Sequence, residues 1–422
     1  MKRRSFLGLV KPTLEYTTLA DLSSIPLKKV PASKTATFMV PGTIEGTDLL
    51  ALKVGDEVKA GQALAPIAGS DDYAISTIAG KVTALEPFTD AHSNAFIAVT
   101  VEAADNQEWA DSLGSDPDLA AVAANLQNGP GALCLKPVLD PETNINTILV
   151  LGMDRDLMTT AVQYAVKSRG AYLAKGIETL KKITGVSEIV LVVPSGLTGN
   201  VQGCKCTIKE VGASYPSANP KLVMHNILGK TVPAGKTLED MGVLCLSAEA
   251  VAALGESCET GKPCVNKIVT LVAKDGEALN VQVPVGTPIQ DVLDVKRIAL
   301  NDGDRLILGG PMTGVATYST SLPVLPDTDA IMVQDGAKLP EIEDASCINC
   351  GECIKVCPAK VPVNMMVRFL ENQLYVDAAE KYDLLSCVDC GFCSFVCPAR
   401  IPIYQYIGLA KFELSRMAPE AE

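Results

Sequence analysis

The chain has 422 residues, of which 48% are hydrophobic and 5% aromatic, and its formal net charge is −13 at pH 7. This length allows roughly two to four domains with buried cores, and the acidic balance argues against nucleic acid as a partner. No apolar run approaches the roughly 18 residues that a transmembrane helix needs, so we expect any membrane association to go through a partner.

The first residues, Met1–Gly8, resemble a twin-arginine export signal. Such a signal continues into an apolar stretch, which is interrupted here by Lys11, Pro12 and Glu15. We therefore expect no export, a chain that stays in the cytoplasm with its thiols reduced, and an N-terminal extension over residues 1–30.

Residues 31–105 are predicted as strands, because the stretches 52–64 and 75–85 alternate short apolar segments with glycine-containing turns. The arrangement resembles a lipoyl or biotinyl domain, a barrel-sandwich hybrid. Carrier domains of that type have a lysine in the hairpin between the two halves, whereas the hairpin 69–73 has none. We therefore expect a structural role here and no swinging arm.

Residues 106–142 are predicted as a linker, because 111–118 is rich in turn-forming residues, with a short helix at 119–126. Residues 143–265 are predicted as a Rossmann-like α/β domain with a parallel sheet. Its strands are expected at 145–151, 188–193 and 243–246, and its helix at 157–184. No dinucleotide fingerprint or P-loop is present in this region.

Residues 266–335 are predicted to return to strands, at 267–272 and 279–284, with a helix at 288–293. This order resembles a β-grasp domain of the soluble-ligand-binding type. The glycine-rich turn Gly309–Gly314 either approaches a cofactor or serves only the backbone, and we favour the second interpretation.

Residues 336–422 contain one cysteine pattern twice, C-x₂-C-x₂-C-x₃-C-P, with the copies forty residues apart. The first copy comprises Cys347, Cys350, Cys353 and Cys357, and the second Cys387, Cys390, Cys393 and Cys397. This is the ligand spacing of bacterial ferredoxins with two [4Fe–4S] clusters, in which the last cysteine of each run binds the other cluster. The predicted ligand sets are Cys347, Cys350, Cys353 and Cys397 for cluster I, and Cys387, Cys390, Cys393 and Cys357 for cluster II.

Zinc ribbons and disulfides are the alternatives for these eight cysteines. Zinc sites use pairs of cysteines, usually two pairs for each ion, and a reducing compartment disfavours disulfides. Helical periodicity at 363–385, with a break near Tyr375, and a second helix at 403–417 predict an α-helical ferredoxin domain.

Six cysteines lie outside the motifs, and we expect them to be small buried apolar residues. They are Cys134, Cys204, Cys206, Cys245, Cys258 and Cys264. The two histidines, His92 and His225, belong to no recognisable catalytic group, and no catalytic residue is predicted.

The order of these regions resembles the C subunit of the Rnf ion-translocating electron transport complex. This RnfC-like family is related to cobalamin reductase and to the flavin subunit of complex I. The strings Tyr215-Pro216, 228–235, 261–270, 309–314 and 401–406 carry the resemblance, which covers roughly residues 35–415. It implies a multidomain fold, α/β plus β, that ends in the two-cluster ferredoxin domain.

Relatives that bind FMN and NADH have a glycine-rich loop followed by Gly-Phe-Pro, and an acidic Glu-Cys-Glu-Pro string after the next strand. Here the corresponding stretches are Asn128–Leu133 and Gly152–Asp156, and most of the loop's glycines are missing. Because those glycines let backbone N–H groups approach phosphates, their loss argues against FMN and NAD(H) as cofactors.

Three hypotheses follow. The first is an electron-transfer subunit on the cytoplasmic side of the inner membrane, bound to membrane-embedded subunits of an electron transport complex. Its donor or acceptor would be a ferredoxin-like protein, a flavoprotein or a cytochrome. The second is an FMN- and NADH-dependent oxidoreductase of the cobalamin reductase type, and the third is a structural adaptor with redox-silent clusters. Whether the chain is itself an enzyme stays open at this point.

Overall fold

The computed structural model describes residues 12–19, 27–44, 50–90, 93–110, 117–339 and 345–417. The export-like start and His92 lie outside these ranges, as does most of the turn-rich stretch 111–118. The fold is a mixed α/β fold with several sheets and a helical C-terminal region. Across the part of the chain that the structure describes, none of the helices combines the length and apolar character needed to cross a membrane.

The N-terminal strands form one four-stranded sheet of order β2-β7-β6-β3 and a two-stranded sheet of β4 and β5. Their bounds are β2 Thr35–Pro41, β3 Glu57–Val58, β4 Ala63–Leu64, β5 Ala74–Ile75, β6 Gly80–Thr89 and β7 Ala95–Ala103. Alternate residues of β2 and β7, such as Phe38, Val40, Ile97 and Val99, are buried in a common core. Strands therefore occur where the sequence predicts them.

Part of the predicted linker is buried rather than free. It contains helices α1, Leu119–Asn125, and α2, Lys136–Leu139. Leu126, Leu133 and Leu135 are packed in the core of the α/β region that follows. Apolar contacts thus fix this segment against the α/β region, and the turn-rich composition of the predicted linker gave no sign of this packing.

The central region contains a parallel sheet of order β10-β9-β8-β11. The elements are β8 Thr147–Leu151, α3 Ala161–Ser168, α4 Gly170–Thr184, β9 Glu188–Pro194, β10 Thr207–Val211, α5 Pro220–Leu228, β11 Val243–Ser247 and α6 Ala248–Thr260. The predicted parallel sheet is confirmed.

The single helix predicted at 157–184 is wrong, because the structure has two helices that meet at Arg169. The first helix also begins later than predicted. The preceding turn uses Asp154 to accept hydrogen bonds from the backbone N–H groups of Val162 and Gln163, at 2.9 and 3.3 Å. Helical periodicity alone does not reveal such a side-chain cap.

The two faces of the parallel sheet are covered by different parts of the chain. Ile148 and Val150 of β8 face a core shared with α3, α4 and α6. Leu149 and Leu151, on the opposite face, pack in a core that contains α5 and residues of the second cysteine motif. The C-terminal region therefore covers one face of this sheet.

The third region is a six-stranded sheet of order β1-β13-β12-β16-β14-β15. Its elements are β1 Leu27–Lys29, β12 Asn266–Val272, β13 Ala278–Pro284, α7 Ile289–Asp294, β14 Arg305–Leu308, β15 Val315–Thr317 and β16 Ala330–Gln334. Strand β1 comes from the predicted N-terminal extension and runs parallel to β13, with Leu27 opposite Asn280.

A buried ion pair joins this sheet to the parallel sheet. Lys267 Nζ on β12 lies 2.6 Å from Glu249 Oε2 on α6 and 3.0 Å from Asp329 Oδ1. Burial alone lowers the pKa of Lys267, but the two carboxylates outweigh it and raise the pKa above its usual value. The ammonium group therefore stays charged inside the protein.

The C-terminal region is helical in its described part. Its helices are α8 Glu352–Val356, α9 Val363–Glu371, α10 Tyr375–Tyr382, α11 Phe392–Val396 and α12 Ile403–Met417. The interruption predicted near Tyr375 lies between α9 and α10, where Gln373 has a φ of 59°. The predicted helix at 403–417 is confirmed as α12.

Candidate functional site

The two cysteine motifs have the same backbone conformation. In each, the third cysteine lies in a five-residue helix, α8 or α11, that begins after a left-handed glycine. Gly351 and Gly391 have φ values of 74° and 69°. The residue before the second cysteine is also left-handed, with φ of 56° at Asn349 and 54° at Asp389. Asn and Asp tolerate this conformation best among residues with a Cβ, so the sequence repeat becomes a structural repeat.

The first three cysteines of the first motif share a cavity with the last cysteine of the second. Cys347, Cys350, Cys353 and Cys397 line this cavity. Apolar side chains from α9 and from the chain after Cys397 complete its wall, among them Val367, Ile401 and Ile403. The fourth thiol of this group therefore comes from the other motif.

The remaining cysteines form the reciprocal group. Cys357 lies near Cys390 and Cys393, close enough for its charge to raise the pKa of both thiols. The larger cause is burial, which raises the pKa of Cys390 to about 11 and that of Cys387 to about 12. Free thiols here hold their protons at neutral pH, so binding of iron must release them.

The cavity lined by Cys347, Cys350, Cys353 and Cys397 fits a four-iron cluster. A four-iron cluster binds each thiolate through a different iron, so its ligands stand farther apart than those of one zinc ion. A cavity lined by four thiols and apolar side chains suits such a group.

Hydrogen bonds and an aromatic contact join the second motif to the segment between β10 and α5. Tyr215 Oη donates to the carbonyl oxygen of Cys390 at 2.5 Å, and Asn219 Nδ2 donates to that of Val388 at 2.7 Å. The Tyr215 ring packs against Phe392, with ring centroids 6.0 Å apart. These two polar residues anchor the turn that carries the first and second cysteines.

The first motif is more open. Ile348, between its first two cysteines, is 67% exposed, and Cys350 is exposed as well. In the second motif the corresponding residues, Val388 and Cys390, are buried. The two cysteine groups therefore differ in their access to solvent.

The glycine-rich turn Gly309–Gly314 reaches the second motif. A Cβ on Gly391 would lie 2.3 Å from the carbonyl oxygen of Met312, so the two backbones are in direct contact. Asp156 holds the turn in place, because its Oδ2 accepts hydrogen bonds from Thr313 N at 2.8 Å and Thr313 Oγ1 at 2.7 Å.

The carboxyl edge of the parallel sheet is the usual ligand site of such folds, at the point between β8 and β11 where the strand order reverses. In the turn after β8, Asp154 caps α3 and Asp156 binds the turn at Thr313. On the other side, Ser247 Oγ donates to the Gly131 carbonyl at 3.1 Å, and a Cβ on Gly131 would lie 2.5 Å from Ala250 N. The chain's own groups thus occupy this edge.

The other predicted residues lie apart from the motifs or differ from expectation. Cys204, Cys258 and Cys264 are buried as predicted, and Cys206 and Cys245 are half-buried. The prediction is wrong for Cys134, which is exposed because it sits between the buried Leu133 and Leu135. His225 is exposed, and its Nδ1 lies 3.0 Å from Thr231 Oγ1.

Sequence reasoning missed the residues that hold the motifs in place. The sequence singles out Tyr215 and Asp156 only through a resemblance, and it does not single out Asn219. No spacing rule relates them to the cysteines. The one available signal was Asp389, because a carboxylate between two thiolate ligands adds negative charge that a cationic partner would compensate.

Comparisons with known proteins agree with this geometry. Residues 346–402, which include all eight motif cysteines, match the family of 4Fe-4S dicluster domains. The C subunit of a proton-translocating ferredoxin:NAD(+) oxidoreductase complex from Clostridium ljungdahlii is 26% identical over 87% of this chain and 85% of that protein. The C subunit of a Na(+)-translocating ferredoxin:NAD(+) oxidoreductase complex from Acetobacterium woodii is 24% identical over 74% of this chain and 76% of its own length.

A third relative is longer. The C subunit of an ion-translocating oxidoreductase complex from Pseudomonas aeruginosa is 26% identical over 80% of this chain, which spans 47% of that protein. Among solved structures, an NAD+-reducing [NiFe]-hydrogenase in the H2-reduced state has a TM-score of 0.43 and 10% identity, over 69% of this chain and 59% of that one. The predicted resemblance is therefore confirmed: the chain carries a 4Fe-4S dicluster domain and is a homologue of the C subunits of the ion-translocating oxidoreductase complexes.

Proposed function

We propose that this chain is an electron-transfer subunit of an Rnf-like, membrane-associated oxidoreductase complex. The observation that carries the proposal is the cavity in which Cys397 joins Cys347, Cys350 and Cys353, inside a region that matches a 4Fe-4S dicluster domain. Two four-thiol groups formed by exchange of one cysteine between the motifs are the ligand arrangement of two-cluster ferredoxins.

The cluster ligands follow from this arrangement. Cluster I is held by Cys347, Cys350, Cys353 and Cys397, and cluster II by Cys387, Cys390, Cys393 and Cys357. When bound, such clusters accept and release single electrons. The protein's own contribution is to fix the thiolates on short helices, to exclude water with apolar walls, and to set the charge and hydrogen bonding around each sulfur.

The partners are proposed by analogy with the relatives. Two of them are named for ferredoxin:NAD(+) oxidoreductase complexes that move protons or Na(+), so membrane-embedded subunits and a soluble or peripheral electron carrier are the expected partners. We place the chain on the cytoplasmic side of the membrane, where its fourteen cysteines stay reduced.

The regions before the ferredoxin domain serve as its scaffold. The sheet of β2, β3, β6 and β7 is proposed as a barrel-sandwich hybrid, the parallel sheet as Rossmann-like, and the six-stranded sheet of β12–β16, to which β1 is added at one edge, as a β-grasp domain. For these domains we propose the boundaries predicted from the sequence, which are 31–105, 106–142, 143–265, 266–335 and 336–422.

The residues at the edge of the parallel sheet do not fit FMN or NAD(H). A phosphate needs unpaired N–H donors, but the donors of Val162 and Thr313 are already bonded to Asp154 and Asp156. These carboxylates would also repel an anionic ligand. This favours a relay through clusters over the alternative of an FMN- and NADH-dependent reductase.

The proposal is tested on the full chain purified without oxygen. We expect about eight irons for each chain, no retained flavin absorbance near 450 nm after desalting, and two electron paramagnetic resonance (EPR) signals after reduction with dithionite. Clusters that stay silent at the lowest accessible potential would favour a structural adaptor. Flavin that survives desalting in stoichiometric amount would favour the reductase.

The exchange of cysteines between motifs has its own test. Cys357→Ala should remove the EPR signal that Cys387→Ala also removes, and Cys397→Ala should remove the other signal. Cys134→Ala is the matched control, because this thiol is exposed and outside both motifs. Loss of the first motif's signal in Cys357→Ala would contradict the assignment.

A further inference from the structure

The second motif contains an ion pair in its first turn. Asp389 lies between Cys387 and Cys390, and Lys411 reaches it from α12, with Nζ at 2.8 Å from Oδ1 and 2.7 Å from Oδ2. The same Nζ donates to the carbonyl oxygen of Cys387 at 3.0 Å. One ammonium group therefore binds both the carboxylate and the backbone of this thiolate turn.

The first motif has a neutral contact at the same place. Forty residues before Asp389 stands Asn349, with the same left-handed backbone, and its Oδ1 accepts a hydrogen bond from Asn364 Nδ2 at 2.7 Å. Forty residues before Lys411 stands Glu371, an exposed residue at the end of α9. The two motifs therefore share a backbone conformation but differ in the charges of the side chains at equivalent positions.

The pair is close to a sulfur. The N–H of Asp389 donates to Cys387 Sγ at 3.4 Å, so the carboxylate is attached to the residue that bonds the thiolate. The side chains of Lys411 and Asp389 are 23% and 46% exposed, so solvent weakens their effect without removing it.

Charge near a cluster acts directly on its reduction potential. Reduction adds one electron and breaks no bond, so the reduced form carries one more negative charge, which a carboxylate disfavours and an ammonium group favours. Asp389 alone would lower the potential of the cluster beside it. Lys411 cancels most of that effect and holds the turn in place.

Building on the proposed function, we propose that Lys411 is a positioning residue that sets the reduction potential of the cluster bound by the second motif, independently of the first. It does so by neutralising Asp389 and fixing the Cys387 turn. The two clusters of the relay thereby differ in potential although their ligand spacing is identical.

The test is a potentiometric EPR titration of the full chain, with dithionite as electron donor and redox mediators present. Lys411→Met should lower the midpoint potential of the second motif's cluster, because Asp389 is left uncompensated. Asp389→Asn should raise it, because Lys411 is left alone. The double variant should return close to the wild-type value, and the first motif's cluster should not shift in any of them.

Two further variants separate charge from structure. Lys411→Arg keeps the positive charge and should keep the potential near that of the wild type. Lys381→Met is the matched control, since it breaks a pair of similar length, 3.0 Å to Asp377 on α10, without touching a cysteine turn. It should move neither potential. Raising the salt concentration should shrink the shift in Lys411→Met.

Iron content is measured for every variant. Unchanged potentials in both Lys411→Met and Asp389→Asn with full iron content would overturn the inference and leave the relay intact, as would equal shifts of both clusters. If Lys411→Met fails to retain iron, the potentials of Asp389→Asn and Lys411→Arg still test the inference. Clusters that cannot be reduced even in the wild type would instead contradict the proposed function.

Discussion

Asp154 shows how a single residue fills the place where a ligand is expected. Its carboxylate is buried at the carboxyl edge of the parallel sheet and accepts hydrogen bonds from Val162 N and from Gln163 Nε2, at 2.9 and 3.0 Å. Burial raises the pKa of Asp154 to about 6, because its effect is larger than that of these hydrogen bonds, which lower the pKa. The folded state therefore binds this proton more tightly than the unfolded chain does.

This shift makes stability depend on pH. The pKa of Asp154 is higher in the folded state than in the unfolded chain, so below about pH 4 the group is protonated in both states and does not change the free energy of unfolding. Between about pH 4 and pH 6 the group lowers the free energy of unfolding by an increasing amount, which is constant at higher pH. Between pH 5 and pH 7 the wild type should lose about 1 kcal/mol from this group. Asp154→Asn should lack that loss, as measured by anaerobic chemical denaturation at both pH values. A parallel pH dependence in the two proteins would contradict the prediction.

At the scale of residues, functional positions could be predicted from the sequence where a fixed spacing of side chains is typical of one kind of site. The eight motif cysteines stand out in the sequence because they recur at the spacing typical of cluster ligands, and they lie in the region that matches a 4Fe-4S dicluster domain. Tyr215 and Asn219 could not be found in this way, because they bond Cys390 and Val388 across 175 and 169 residues. Only the folded chain brings them together.

At the scale of elements, helices α4 and α6 pack very closely against each other. A Cβ on Gly176 would lie 1.9 Å from the carbonyl oxygen of Val251, and one on Gly255 would lie 1.9 Å from that of Tyr172. The two helices therefore approach backbone to backbone, which glycine alone permits.

Gly176→Ala and Gly255→Ala should each destabilise the protein by about 1–3 kcal/mol or more, because the helices must separate to admit the methyl group. Gly408→Ala is the matched control, since this glycine is in α12 and a Cβ added to it would have nothing within 4 Å. It should stabilise the protein by about 0.5–1 kcal/mol, as alanine usually does in a helix. The denaturation midpoints of the three variants measure these changes in stability. A change of the same sign in all three would contradict the close packing of α4 and α6.

Elements were predictable where their pattern is strong and local. The buried strands β8, β9 and β11 are continuous apolar runs and were found. Strand β10 was not, because it is an edge strand with mostly exposed residues and lacks such a run. The break at Arg169 was missed because it depends on contacts outside the helix: a Cβ on Gly170 would lie 2.8 Å from the carbonyl oxygen of Asn200.

At the scale of the whole molecule, the second motif is part of the core rather than an appended module. Val388, Phe392 and Val396 share a buried cluster with Leu149 and Leu151 of β8. The order of regions could be predicted from the resemblance to known relatives. Their mutual contacts could not, because they depend on which surfaces meet and not on any local pattern.

A pair of equivalent glycines tests this contact. Gly391→Ala and Gly351→Ala both place alanine in a left-handed conformation, which costs roughly 1–2 kcal/mol. Only Gly391→Ala must also displace Met312, since Gly351 has nothing within 4 Å. Gly391→Ala should therefore be the less stable by a further 1–3 kcal/mol or so, and should lose the second motif's cluster first on heating. Equal stability of the two variants would argue against the contact.

Strand β1 has a consequence for how the chain assembles. It pairs with β13 across some 250 residues, Leu27 against Asn280, and so it has no neighbour in its sheet until about two thirds of the chain has been synthesised. Contacts of such long range form late, because the entropy of closing the loop must be overcome first. The newly made strand therefore stays unpaired while the three sheets that lie between β1 and β13 in the chain fold, and the six-stranded sheet closes as one of the last steps of folding.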